Sequence, residues 1–198
     1  MKRIQLDPRD KKRQMQRKYI GEEAALFWQN RAASTDLQGW RNRLIDSLPI
    51  HDIAKRANIK AADLGCGVGD KGVRLLGRTD LNITRLYLVD FAIGQEHGDW
   101  VTQHWSEVRF LSSDIGSGLD RLSERVDICL LLGVVHEIAN LQTFADGIYS
   151  STESDCVVLL SDNLLHHSLT ELKCHFSTAG FTGQWFKRLL RLGNIHVF

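Results

Sequence analysis

Apolar positions along this chain follow two regimes that change over near Asn58. Upstream, Trp40, Leu44, Ile45 and Leu48 recur at the spacing of one helix face, with Ser34, Thr35 and Asp36 as candidate N-caps and Pro49 as a break. Residues 11–55 therefore read as helical. Downstream, short apolar runs take over at Ile59–Leu64, Leu86–Val89, Val108–Leu111, Ile128–Leu132 and Cys156–Leu160. They do not alternate with polar residues, which is the pattern of parallel strands covered on both faces. The stretches between them are long enough for the crossover helices that parallel pairing requires. Ser168-Leu-Thr-Glu171 reads as a capping box, opening a helix that ends at Ala179 before Gly180. Phe181–Phe186 and Asn194–Phe198 are two more strand candidates, joined too closely for a helical crossover and hence antiparallel. The expected fold is α/β and doubly wound: a mostly parallel seven-stranded sheet, a C-terminal antiparallel hairpin strand and an N-terminal helical extension. Residues 1–57 form the extension and residues 58–198 the core.

Composition narrows the class. The 198 residues suffice for one domain with its own core, and 43% hydrophobic against 25% charged residues excludes a disordered tail. The longest apolar run, Ile128–Val135, falls far short of the roughly 18 residues that span a bilayer. No hydrophobic segment follows the N-terminal charges, and no Ser or Thr precedes Ser34, so neither a secretory signal nor a transit peptide is expected. Cys66, Cys129, Cys156 and Cys174 are widely spaced without a CxxC pair, which suits reduced, mostly buried thiols in a cytoplasmic protein. The formal charge of +1 conceals a division: residues 1–18 carry net +6, and the rest carry −5.

The segment Asp63-Leu-Gly65-Cys66-Gly67-Val-Gly69-Asp70 follows the first strand and opens a helix. Glycines there let the backbone turn tightly and approach a ligand, beside a helix N-terminus that favours anions. A dinucleotide fingerprint would need its third glycine where Asp70 stands, and a phosphate loop would need Lys-Ser/Thr where Lys71-Gly72 stands. Acids instead mark three successive strand ends: Asp63, Asp90 and Asp114. Each lies where ligands bind in open α/β sheets, although a single strand-end acid also serves as a helix cap.

The run Asp63-Leu-Gly65-Cys66-Gly67-Val-Gly69, followed by Leu-Val-Asp90 and Ser-Asp114-Ile115, resembles the class I S-adenosylmethionine-dependent methyltransferases. The resemblance covers about Ile59–Phe198. It implies S-adenosyl-L-methionine as cofactor, with Gly65, Cys66, Gly67 and Gly69 in the loop around its methionine part and Asp63 toward its ammonium group. It further implies Asp90 on the ribose, Phe91 packed on the adenine, Asp114 at the adenine amino group and Ile115 alongside. Leu132 and Gly133 would line the methionyl arm.

The acceptor side is less determined. With no proline after Pro49, the Asp/Asn-Pro-Pro-Tyr/Phe motif of enzymes methylating base or glutamine amino groups is absent, as is a Pro-Cys nucleophile. The fourth strand leads into Gly133-Val-Val-His136-Glu137-Ile-Ala-Asn140. His136 is the candidate general base, since imidazole titrates near neutrality; its other reading is a histidine that begins the next helix. Asn140 stands where a HExxH zinc site would need a second histidine. Asp162-Asn163 resembles the magnesium ligands of catechol-type O-methyltransferases, but Leu132-Gly133 supplies no further acid, so no metal is expected. His166 and His167 lie ahead of the final helix cap.

By elimination residues 1–55 close the site, with Tyr19, Phe27, Trp28 and Trp40 as aromatic surface. The leading expectation is transfer of a methyl group to an oxygen or nitrogen of a small molecule. Two alternatives stay open: an RNA methyltransferase using the basic arm, and a non-methylating member of the fold that binds or rearranges the cofactor.

Overall fold

Five parallel strands form the centre of the protein, seen in a computed structural model. Residues 56–67, 72, 76–77, 81–90, 107–162, 167–182, 188–190 and 193–197 are described, with 161, 188–190 and 193–197 as backbone alone. The expected N-terminal helices, with Gly69, Phe91, Asn163 and His166, lie outside the described residues.

The strands are β1 (Ile59–Leu64), β2 (Ile83–Asp90), β3 (Val108–Ser112), β4 (Val126–Leu132) and β5 (Thr152–Asp162). They lie in the order β3-β2-β1-β4-β5, so the order reverses between β1 and β4. Leu64 stands opposite Val89, Asp90 opposite Ser112 and Leu132 opposite Ser161. This register brings the carboxyl ends of the strands into one row. Helices α1 (Ile115–Leu119), α2 (Leu141–Ser151) and α3 (Leu169–Ala179) connect or follow them.

Alternate strand residues build the core. Ala62, Leu64, Tyr87, Val89, Cys129, Leu131, Val158 and Leu160 share a buried cluster with Leu119 of α1, Leu172 and Phe176 of α3, and α2. Helix α2 contributes Leu141, Phe144, Ala145 and Ile148, the three- and four-residue spacing of one helix face. The intervening strand residues Ile59, Ala61, Leu86, Leu88, Ile128, Leu130, Val157 and Leu159 are buried as well. A fully buried aliphatic or aromatic side chain contributes about 1.5–3 kcal/mol relative to exposure, so these two layers dominate the stability. Strand β3 departs from the expected two-sided burial: none of its residues is buried, and among the described residues it pairs with β2 alone.

Polar residues extend the strands beyond their apolar runs. Asp127, inside β4, is buried by an ion pair with Arg56 and accepts the Lys60 backbone N–H at 2.9 Å. Arg85 of β2 pairs with Glu107 and Glu124, and Lys60 reaches Glu124 at 3.2 Å. Together they tie the amino-terminal ends of the strands, on the edge opposite the glycine loop.

Helix α3 has the expected start and stop. Ser168 accepts from the Glu171 N–H, the Glu171 carboxylate accepts from the Ser168 N–H, and Gly180 ends the helix at φ 112°. Phe181 and Thr182, expected to begin a strand, instead follow the helix without strand structure. The Phe181 ring packs edge-on against Tyr149 at 5.3 Å and beside Phe176 at 5.4 Å, which turns the chain back over α2. The cysteines are less uniformly buried than expected: Cys66 and Cys129 are buried, Cys156 is half-buried and Cys174 is exposed on α3. Among the described residues no helix is long and apolar enough to cross a membrane.

Candidate active site

The glycine loop is fastened to the end of β2. The N–H groups of Gly65 and Cys66 both donate to the Val89 carbonyl, at 2.8 and 3.2 Å. The N–H of Gly67 donates to Asp90 Oδ2 at 2.8 Å. Gly65 and Gly67 have φ of 71° and 61°, the left-handed region that side chains other than glycine resist. Among the described residues, a Cβ on Gly67 would meet nothing within 4 Å. The loop thus presents open backbone toward the crevice at the strand-order reversal, where ligands bind in open parallel sheets. Asp90 is itself mostly buried, and its carboxylate holds this backbone in place.

Asp63 lies deeper than a surface ligand would. It is 1% exposed, and Gly72, in the helical segment beyond the loop, passes so close that a Cβ would stand 2.7 Å from its carboxyl carbon. Cys66 is buried beside both acids, and its Sγ lies 3.5 Å from the Gly67 carbonyl. Burial first, then the charges of Asp63 and Asp90, push its thiol well above the ordinary range. It stays a protonated, unreactive thiol.

Asp114 is exposed and caps α1: its Oδ1 accepts the Ser117 N–H at 3.1 Å and its Oδ2 the Ser117 hydroxyl at 2.7 Å. The Ser117 hydroxyl and then its backbone N–H hold the carboxyl below its usual pKa. A carboxylate offers about four acceptor positions, so capping leaves room for a further donor. Ile115 follows, its Cδ1 reaching to 3.3 Å from where a Gly65 Cβ would lie.

After buried Leu132, Gly133 turns the chain at φ 77°. Val135–Glu137 then form a single 3-10 turn, and α2 starts only at Leu141. The helix cap is Asn140, whose side chain accepts the Thr143 N–H at 3.1 Å. His136 therefore does not begin a helix. Its backbone N–H donates to Asp162 Oδ2 at 3.1 Å, and its ring Nδ1 to Asp162 Oδ1 at 2.8 Å. That ring hydrogen bond is the largest cause of a pKa raised above 6.5 for His136, against the lowering effect of burial. His167 donates from Nε2 to the Ile138 carbonyl at 3.0 Å, bracing the same turn.

The structure thus brings Asp63, Gly65, Cys66, Gly67, Asp90, Asp114, Ile115, Leu132, Gly133 and His136 to one edge of the sheet. The Asp162–His136 pair is what sequence reasoning missed. Asp162 obeys the same strand-end pattern as Asp63 and Asp90, although its neighbour Asn163 makes it resemble a metal ligand in the sequence. Among the described residues no group of three or more His, Cys, Asp or Glu is arranged to hold a metal ion.

No protein-family model and no curated protein sequence matches the chain. Solved structures do. A TehB-like SAM-dependent methyltransferase from Corynebacterium glutamicum aligns at TM-score 0.61 and 20% identity, over 88% of this chain and 93% of its own. The 1,6-didemethyltoxoflavin-N1-methyltransferase of Burkholderia thailandensis, solved with 1,6-didemethyltoxoflavin and S-adenosylhomocysteine, aligns at TM-score 0.67 and 17% identity, over 100% and 90%. The [4+2]-cyclase SpnF aligns at TM-score 0.54 and 15% identity, over 73% and 58%. The fold is therefore the one that S-adenosylmethionine-dependent methyltransferases use. The cyclase shows that this fold does not by itself fix the reaction.

Proposed function

We propose that this protein is a class I enzyme that transfers a methyl group from S-adenosyl-L-methionine to an oxygen or nitrogen of a small molecule. The observation that carries the reading is the Gly67–Asp90 arrangement: an open backbone cradle at the strand-order reversal, held by an acid at the end of the neighbouring strand. Asp90, with Phe91 beside it, takes the ribose and adenine. Asp114 and Ile115 meet the adenine edge. Gly65, Cys66, Gly67 and Gly69 pass along the methionine part, Leu132 and Gly133 line its other side, and Asp63 supplies charge for the ammonium from beneath the loop. The bound cofactor supplies a methyl group on a sulfonium, which leaves as a neutral thioether. The chain's own residues position the acceptor and accept its proton, and His136 is the base.

Residues 58–198 make up the cofactor-binding core in this reading, and residues 1–57 form a helical lid with a basic arm. The sheet is completed to seven strands by β6 (Arg188–Leu190) and β7 (Gly193–Val197). The support is backbone pairing, antiparallel in both cases: Val197 opposite Leu159 and Asn194 opposite Asp162 on β5, and Arg188 opposite Ile195 within the hairpin.

Incubation of the full chain with S-adenosylmethionine and a panel of small alcohols, phenols, amines and ring N–H compounds, read by mass spectrometry, tests this. The expected result is S-adenosylhomocysteine together with one acceptor heavier by a methylene. Consumption of the cofactor without any acceptor, to products other than S-adenosylhomocysteine, would overturn it in favour of a non-methylating member of the fold.

A further inference from the structure

Two adjacent parallel strands, β4 and β5, deliver the partners of one imidazole. The Asp162 side chain is 1% exposed and engaged twice by His136, through the backbone N–H and through ring Nδ1. The second ring nitrogen, Nε2, lies 3.2 Å from Glu137 Oε1, on a side chain 33% exposed. Among the described residues, these two carboxylates are the charged groups that face the ring. Carboxylates only accept hydrogen bonds, so both acids favour the doubly protonated ring, and the Asp162 hydrogen bond raises its pKa first among them. The two partners differ in kind. Asp162 is sealed into the end of β5, whereas Glu137 reaches the ring from the solvent side and is the one a ligand can replace.

The turn that carries His136 also touches the glycine loop, since Val134 packs directly against Gly65. The pair therefore stands beside the crevice between β1 and β4, close to where the loop would hold a ligand.

Resting on the methyl-transfer reading, we propose that Asp162 is a positioning residue that fixes His136 with Nδ1 protonated, and that Glu137 holds Nε2 until an acceptor bearing an O–H or N–H displaces it. On displacement the Nε2 proton passes to solvent, and the Nε2 lone pair faces the acceptor. As the acceptor atom bonds to the methyl carbon, its own proton moves to Nε2 and the carbon–sulfur electron pair stays on sulfur, cancelling the sulfonium charge. The imidazolium then returns to Glu137. Such a site serves neutral weak acids, such as alcohols, phenols, enols and ring N–H groups. A carboxylate acceptor arrives without a proton and has no need of the base.

The test needs no identified acceptor. His136 is followed by NMR titration of the full chain, in wild type, Asp162→Asn and Glu137→Gln. An asparagine amide facing Nδ1 donates to it and forces the proton onto Nε2. The expected outcome for Asp162→Asn is therefore a pKa lower by on the order of one unit and an inverted pair of ring 15N shifts. Glu137→Gln should lower the pKa while keeping the Nδ1–H tautomer. An unchanged tautomer and titration in Asp162→Asn would overturn the positioning role.

The second arm compares affinities for S-adenosylmethionine and S-adenosylhomocysteine between about pH 5.5 and 8.5, a range that brackets a histidine titration. An imidazolium beside the sulfonium repels only the former. Its affinity relative to S-adenosylhomocysteine should fall on the order of tenfold as pH drops through the His136 pKa. The His136→Asn variant should abolish that dependence, and it carries the test even if Asp162→Asn does not fold. A ratio independent of pH in the wild type would overturn the acceptor role while leaving cofactor binding intact. Failure of both ligands to bind at any pH would instead defeat the methyl-transfer reading itself.

Discussion

Val134 leaves no room for a side chain on Gly65: a Cβ there would stand 2.7 Å from Val134 Cβ and closer still to its Cγ2. The turn after β4 is thereby locked onto the loop after β1, across the point where the strand order reverses. Two residues on, Gly67 has the same positive φ, but among the described residues nothing lies within 4 Å of the equivalent position. Two glycines of one motif thus answer different demands, the first close packing and the second an open backbone.

Gly65→Ala should cost about 2–4 kcal/mol of stability, combining left-handed strain with overpacking. Val134→Ala in the same chain should recover part of that loss, since it removes the colliding methyl groups. Gly67→Ala should cost only about 1–2 kcal/mol, the backbone strain alone, yet impair S-adenosylmethionine binding more than Gly65→Ala combined with Val134→Ala. Urea midpoints and calorimetry on the three proteins check the ranking.

Asp114 performs two tasks that substitution can separate. Asp114→Ala should lose about 1 kcal/mol with the cap of α1. Asp114→Ser keeps an N-cap oxygen and should fold nearly as well as the wild type, but it lacks the carboxylate proposed to meet the adenine. Its loss of cofactor affinity should match that of the alanine variant. Equal affinity for wild type and serine variant would assign Asp114 to the cap alone.

His136 has a pKa raised above 6.5 in the folded chain. A raised pKa means that the folded state binds this proton more tightly than the unfolded chain does. The resulting stability is fully present below the unfolded value and is lost as pH rises through the folded value. Stability against urea, followed upward from about pH 6, should therefore decline in the wild type more than in His136→Asn. Parallel pH profiles would contradict the ring's contact with Asp162.

The strand cores were legible because parallel strands covered on both faces leave an apolar trace, and β1 is found over the same residues as its run. The other strands extend past their apolar runs where polar residues lie inside them. Asp127 belongs to β4 because Arg56, distant in sequence, neutralises it there, and Arg85 belongs to β2 because Glu107 and Glu124 receive its guanidinium. The capping box at Ser168 and Glu171 is a local signal and was readable to the residue. The glycine loop was readable as a motif, but the obstruction of Gly65 by Val134 and of Gly72 by Asp63 depends on packing that no spacing encodes. The same holds for His136 and Asp162, which become neighbours only because β4 and β5 pair.

In the proposed function, the Gly67 cradle held by Asp90 is the cofactor site. Calorimetric titration of the full chain with S-adenosylmethionine, in wild type and Asp90→Ala, tests it most directly. The expected result is binding by the wild type and affinity weaker by roughly thirtyfold in the variant, the loss of about 2 kcal/mol that follows removal of a charged hydrogen-bond acceptor. No heat of binding in the wild type, or equal affinity in the two proteins, would contradict it.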